Sequence, residues 1–76
     1  MTVMSEQQYE VFKQAAQAKA TGANIHFING QLGLIVNAVK MVNAYAEKEK
    51  LTEAQQGRYD RACARYSDAM KKLRTI

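Results

Sequence analysis

The sequence predicts an all-α protein in which two long helices, at about residues 24–49 and 53–74, form an antiparallel hairpin covered by a shorter N-terminal helix at about residues 5–21. Three observations support this fold class. The 76 residues include no proline, alanine and other residues of high helix propensity are plentiful, and apolar residues recur at steps of three and four. A chain of this length has room for one domain, residues 1–76.

The first helix is predicted to begin near Ser5, because Ser5 and Gln8 have the spacing of a capping box, in which each side chain bonds the backbone N–H of the other residue. Its apolar side chains occupy one face and an adjoining edge: Tyr9, Val11, Phe12, Ala15, Ala16 and Ala18. We expect this helix to end at Thr21-Gly22, with Gly22 in the left-handed conformation that often follows a last helical turn.

The second helix organises the rest of the chain, because it carries no charge before Lys40 and is apolar on two sides. Its main apolar line follows a seven-residue repeat: Ile25, Ile28, Leu32, Ile35, Val39, Val42 and Ala46. A second apolar line lies on another flank: Phe27, Leu34 and Met41. We expect Asn24 to cap this helix, and more than one neighbouring element to bury it.

Asn29-Gly30 competes with this helix, since the two residues lie between apolar stretches and also suit the turn of a β-hairpin. The three-and-four pattern continues through them, whereas strict alternation lasts only a few residues, so the helix is favoured. Gly30 and Gly33 then each cost about 1 kcal/mol relative to alanine. A close approach of another backbone, such as a tight crossing with a partner chain, would explain this cost, as would a kink or simple tolerance.

Thr52 and Gln55 repeat the capping-box spacing and predict that the third helix begins at Glu53. This helix has its own heptad line of apolar residues with two neighbours beside it: Tyr59, Ala62, Tyr66, Ala69, Leu73 and Ile76, with Cys63 and Met70. The line matches the second helix in period and length, as expected for a helical hairpin.

The short chain predicts a thin hydrophobic core, which small domains usually supplement with disulfides, a metal or oligomerisation. A single cysteine, Cys63, excludes an internal disulfide, and with the single histidine, His26, it provides too few ligands for a structural zinc site. We therefore expect a homo-oligomer without metal or cofactor. The candidate interface residues lie on the main apolar line of the second helix: Ile28, Leu32, Ile35 and Val39.

His26 and Cys63 lack the neighbours that catalysis needs, such as a second histidine, a carboxylate at ligand spacing or a nucleophile elbow. The glycines lack the strand and the lysine of a phosphate-binding loop. We therefore expect that the protein is not an enzyme.

The first ten residues show no basic region followed by an apolar run, so we expect a cytoplasmic protein without a secretory signal. Residues 21–39 are uncharged, but they contain five amide or imidazole side chains that lipid would leave unsatisfied. We therefore expect no membrane partner.

Basic residues are concentrated in the last third of the chain, where residues 51–76 contain six Lys or Arg and three acids. Four cationic side chains share one edge of the third helix: Arg58, Arg61, Arg65 and Lys72. Such an edge can bind phosphates or carboxylates. The alternative is a solvated helix face with local ion pairs, such as Asp68 with Lys72.

From these features we expect a non-catalytic small interaction protein that binds a larger protein and inhibits or regulates it, as antagonists encoded by phages or mobile elements do. The first alternative is a small basic nucleic-acid-binding regulator that uses the four cations of the third helix. A weaker alternative is a binder of small anionic ligands, such as nucleotides, at a subunit interface where arginines meet.

Overall fold

The computed structural model describes residues 3–75, which form three α-helices. Helix α1 spans Glu6–Gln17, α2 spans Ile25–Ala46 and α3 spans Glu53–Arg74. The long helices α2 and α3 pack against each other as a hairpin and α1 packs on α2, which confirms the predicted fold class. The predicted apolar position Ile76 lies outside the described residues.

Both predicted capping boxes are present and fix where α1 and α3 begin. At α1, the Gln8 backbone N–H donates to Ser5 Oγ at 3.1 Å, and the Ser5 backbone N–H donates to Gln8 Oε1 at 2.9 Å. At α3, Thr52 and Gln55 make the same reciprocal pair at 3.1 and 3.0 Å. Each box satisfies two backbone donors near a helix start, which is why these two boundaries are sharp.

The end of α1 differs from the prediction, because the helix stops at Gln17 rather than at Thr21-Gly22. The next residues form a tighter turn of the 3₁₀ type instead. The Lys19 and Ala20 backbone N–H groups donate to carbonyls three residues earlier, at 3.1 and 3.0 Å. Gly22 does not take the predicted left-handed conformation, and no residue in the described range 3–75 has a positive φ.

Asn24 precedes α2 as predicted, but its side chain makes no hydrogen bond that caps this helix. It turns back along the chain, where Asn24 Oδ1 accepts from the Thr21 backbone N–H at 2.6 Å and Nδ2 donates to the Lys19 carbonyl at 3.4 Å. The prediction of a side-chain cap was therefore wrong, because the amide stabilises the α1–α2 connection instead.

Helix α2 runs without a strand or a turn through Asn29-Gly30, which excludes the β-hairpin alternative for these residues. The helix ends at Ala46, three residues before the predicted boundary, and residues 47–50 form an exposed charged connection. Within this connection Lys48 Nζ lies 5.5 Å from the centre of the Tyr45 ring.

The core lies between the three helices and is built mainly from the predicted apolar line of α2. Ile28, Ile35 and Val39 are almost completely buried, with at most 1% of their surface exposed. The remaining buried side chains come from all three helices: Tyr9, Leu32, Ala38, Val42, Ala62, Ala69 and Leu73. Ala62, Ala69 and Leu73 confirm the predicted apolar line of α3 as a core-facing line.

Two tyrosine hydroxyls connect the helices across this core. Tyr9 of α1 donates its hydroxyl proton to the Leu32 carbonyl of α2 at 3.3 Å. Burial raises the pKa of the Tyr9 phenol above its ordinary value of 10.0, and the nearby Glu10 carboxylate raises it further. Tyr66 of α3 accepts a hydrogen bond from the Met4 backbone N–H at 3.3 Å, so the segment before α1 is also attached to the hairpin.

Helix α1 packs along one edge of α2 and leaves the opposite edge open. Tyr9 and Val36 line the same shallow groove between the two helices. Val36 and Leu34 lie on opposite sides of the buried Ile35, each about 100° around the helix axis. Val11, predicted on an edge of the apolar face, is 70% exposed because it lies about 200° around α1 from Tyr9.

Candidate interaction face

The four cations predicted as a binding edge are all exposed on one side of α3. They fall within about 60° of arc when α3 is viewed down its axis, given about 100° per residue. Their order along the helix is Arg58, Arg61, Arg65 and Lys72. The structure therefore presents these side chains together.

The four residues predicted as an oligomer interface occupy a different environment. Ile28, Leu32, Ile35 and Val39 are exposed by 1%, 4%, 0% and 0%, because the chain covers them with its own α1 and α3. The correction follows from this burial: these side chains form the core of one chain, and a second chain would have to open that core to reach them. Any apolar surface available to another molecule lies elsewhere on α2.

The second apolar line of α2 provides this surface. Phe27 and Leu34 are 43% and 40% exposed and Met41 is half-buried, so three large apolar side chains on one line of the helix are at least partly open to solvent. Seven residues, or about 10.5 Å, separate each from the next along the helix. Helix α2 has the two neighbours that were predicted, α1 and α3, but no described helix covers this flank, so the line faces outward.

The apolar line of α2 and the cations of α3 meet in a shallow cleft of about 60 Å³. Leu34 and Met41 border it from α2, while Ala62 and Arg65 border it from α3. In an antiparallel hairpin, seven residues forward on one helix correspond to seven residues back on the other. Leu34 and Arg65 both line this cleft, and the same register puts Phe27 level with Lys72 and Met41 level with Arg58 along the hairpin.

We call this surface the apolar-basic face and define it by its residues: Phe27, Leu34 and Met41 of α2 with Arg58, Arg61, Arg65 and Lys72 of α3. It lies on the side of the hairpin away from α1. The apolar line of α2 and the cationic edge of α3 were each predicted from the sequence, but their position next to each other was not.

The charges of the apolar-basic face are largely uncompensated. Within residues 3–75 the only ion pair joins Lys72 Nζ to Asp68 Oδ2 at 3.1 Å, which confirms the predicted pair. Half of the Lys72 side chain and 64% of the Asp68 side chain are exposed, so solvent weakens this pair. No described carboxylate lies within 4.0 Å of the guanidinium groups of Arg58, Arg61 or Arg65, which are therefore available to an external anion.

The glycines of α2 do not make the close contact that sequence analysis considered within one chain. A Cβ atom added at Gly30 or Gly33 would meet no atom within 4 Å. A backbone crossing inside this chain therefore does not explain them. Gly57 of α3 is different, since a Cβ there would lie 3.5 Å from Arg61 Nη1, and the Arg61 side chain thus lies back along its own helix.

Comparisons with known proteins add no assignment: no family model matches the chain, and no curated protein or solved structure is significantly similar to it.

The other residues considered for chemistry are separated in the structure. His26 is exposed near the start of α2, and Cys63 is half-buried against Ala38 and Val42. Within the described residues no group of three or more His, Cys, Asp or Glu side chains could hold a metal ion.

A second concavity, of about 120 Å³, lies between α1 and the end of the hairpin. Phe12, Ile28 and Leu73 line it with apolar surface, and the exposed Lys19 and Arg74 contribute cations. Pockets that bind organic ligands usually measure about 300–1,000 Å³. This cavity is therefore too small to serve the small-anion alternative on its own.

Helix α2 also meets the length and composition of a membrane span, with 22 residues that include an 18-residue window of mean hydropathy 1.2, and it is the only described helix that does. The core helix of a small protein passes the same test. Because Ile28, Ile35 and Val39 are buried by neighbouring helices, the apolar character of α2 is used largely inside this fold.

Proposed function

We propose that this protein is a non-catalytic interaction protein, which binds a larger protein through the apolar-basic face and thereby inhibits or regulates it. The observation that carries the proposal is the exposed line of Phe27, Leu34 and Met41 beside arginines that no described carboxylate neutralises. A line of large apolar side chains bordered by charged residues is typical of a surface that a partner covers.

The same observation separates the proposal from nucleic-acid binding. Phosphate groups would engage Arg58, Arg61 and Arg65, and an unpaired base could stack on Phe27, but nucleic acid gains little from covering the aliphatic Leu34. Binding of a protein uses both halves of the face, since apolar side chains can fill the centre while acidic groups reach the arginines.

Site-specific photo-crosslinking tests this proposal in cells of the organism that encodes the chain. A photoreactive phenylalanine analogue replaces Phe27 and keeps the phenyl ring of the original side chain. The matched control carries the same analogue at Val11, which is 70% exposed on the outer side of α1. We expect an adduct with one specific protein from position 27 and none from position 11.

Two results would contradict the proposal. One is the absence of a protein adduct from position 27, or the same adducts from both positions. The other is binding of labelled DNA or RNA by the purified chain that weakens steeply with salt, is still measurable at physiological salt and is lost in Arg58→Glu/Arg65→Glu, because that would assign the arginines to nucleic acid.

A further inference from the structure

We infer that the segment bound by the apolar-basic face is an acidic amphipathic helix. Its apolar stripe would lie on Phe27, Leu34 and Met41, and its carboxylates would bind Arg58 and Arg65. This inference rests on the proposed function, because it specifies the chemistry of the protein partner.

The shape of the surface favours a helix as the bound element. Phe27 and Met41 are fourteen residues apart, which corresponds to about 21 Å along α2, with Leu34 midway between them. A second helix presents apolar side chains about 10.5 Å apart when they repeat every seven residues, with steps of three and four between neighbours. The cleft between Leu34, Met41 and Arg65 measures about 60 Å³, so it can receive the end of one apolar side chain of such a helix, while the rest of the helix would lie across the surface.

The charge of the surface favours an acidic partner. Arg65 borders the apolar line in the cleft, Arg58 lies two turns earlier on the same side of α3, and no carboxylate among residues 3–75 pairs with either. A guanidinium group can bind a carboxylate through two parallel hydrogen bonds, which fixes orientation as well as adding affinity. Lys72 is already paired with Asp68, so the positive charge is concentrated beside Leu34 and Met41.

The same face of a second copy of this chain does not provide this complement. It would bring the same three arginines to the contact, and its acid on this side of α3, Asp68, is paired with Lys72. Like charges brought together in a contact of this kind oppose binding. A different, acidic protein segment is therefore the occupant that the charges favour.

Two synthetic peptides of 21 residues test the inference against the folded full chain. Both carry leucine at the first and fourth positions of three heptads, and one has glutamate and the other lysine at the fifth and seventh positions. Repulsion between these flanking charges keeps each peptide from pairing with itself. Binding is measured by fluorescence anisotropy at low and at physiological salt, with helicity followed by circular dichroism.

We expect the glutamate peptide to bind about tenfold or more tightly than the lysine peptide, since its carboxylates attract the arginines of the face while the lysine ammonium groups repel them. Arg58→Glu/Arg65→Glu should reverse this preference. The matched control, Lys50→Glu/Lys71→Glu, makes the same change of net charge at exposed residues outside the face and should leave the preference unchanged.

The inference is wrong if both peptides bind equally, if neither binds, or if the lysine peptide binds more tightly. It is also wrong if the chain binds vesicles containing phosphatidylglycerol but not the glutamate peptide, because the face would then recognise an anionic lipid surface. If photo-crosslinking at position 27 captures a protein in any of these cases, the proposed function stands and only the acidic helix is excluded.

Discussion

At the scale of single residues, Gln31 is the side chain whose polar group fits its surroundings least well. Its Oε1 atom is buried and has no hydrogen-bond partner among residues 3–75. A buried acceptor without a partner destabilises the folded state by about 1–3 kcal/mol. Methionine has a similar shape and no strong acceptor, so Gln31→Met should raise the free energy of unfolding by about 1 kcal/mol.

Urea denaturation followed by circular dichroism measures this change. Gln14→Met is the matched control, because Gln14 is exposed on α1 and the same substitution there should change the free energy of unfolding by less than about 0.5 kcal/mol. A loss of stability in Gln31→Met would show that the amide is bonded in solution.

Tyr9 should contribute to the stability of the folded chain through its hydroxyl as well as through its ring. Removing the hydrogen bond to the Leu32 carbonyl in Tyr9→Phe should lower the free energy of unfolding by about 1 kcal/mol at neutral pH. Tyr45→Phe is the control, since the Tyr45 hydroxyl has no hydrogen-bond partner in the described residues and its removal should have little effect. Equal losses in both variants would contradict a structural role for the Tyr9 bond.

The raised pKa of Tyr9 predicts a pH dependence with a definite sign. In the unfolded chain the phenol loses its proton near pH 10, whereas burial keeps it protonated to higher pH in the folded state. Between these two pKa values the folded state binds more protons, so the free energy of unfolding should fall as pH rises above 10. The fall should be smaller in Tyr9→Phe, as measured by urea denaturation between pH 8 and pH 11.

At the scale of whole elements, the two capping boxes should stabilise the first turns of α1 and α3. Ser5→Ala and Thr52→Ala each remove an acceptor for a backbone N–H of the first turn, which typically costs about 1 kcal/mol. Ser67→Ala is the control within α3, where the residue is exposed and distant from either helix end. If urea midpoints of the cap variants match that of Ser67→Ala, the caps are not formed in solution.

A second prediction at this scale concerns the stability of α2 and its two glycines. Because a Cβ at Gly30 or Gly33 meets no atom of this chain, alanine at either position should stabilise α2 by up to about 1 kcal/mol in urea denaturation. Gly57→Ala is a comparison in α3, with its Cβ in ordinary contact with Arg61. Destabilisation by Gly30→Ala at high but not at low protein concentration would instead indicate a close crossing with a second chain.

Helix starts were predictable from the sequence, whereas helix ends were less so, and the reason is physical. Ser5 and Thr52 bond residues three positions away, so the signal is contained in a few letters. After α1, the Asn24 amide bonds Thr21 and Lys19, three and five residues back. Asn24 suits either this connection or a cap of α2, and Gly22 suits either a left-handed residue or an ordinary turn, so these letters do not determine one boundary.

At the scale of the molecule, the candidate site was predictable only in part. The periodicity of α2 predicted both apolar lines, but it did not determine which line the chain covers with its own helices. That choice depends on α1 packing beside Val36 rather than beside Leu34. The buried line was therefore assigned to an interface between chains, while the exposed line was expected to be buried by a neighbouring element.

The integrity of the whole core should depend on α1. Deleting residues 1–20 removes Tyr9, Phe12 and Ala16, and exposes Ile28 and Leu32 of the hairpin. Two helices without this cover have too little buried surface to fold cooperatively, so helicity should fall and the urea transition should broaden or disappear. A truncated chain that keeps a sharp transition would show that the hairpin is stable alone.

The exposed connection at residues 47–50 also determines how the protein is best labelled or fused. The segment before α1 is a poor place for an attachment, because the Met4 backbone N–H bonds Tyr66 and Val3 packs against the core. The connection between α2 and α3 makes few such contacts and lies at one end of the hairpin. A fluorophore or affinity tag inserted there would project away from the body of the molecule and leave both α1 and the apolar-basic face free.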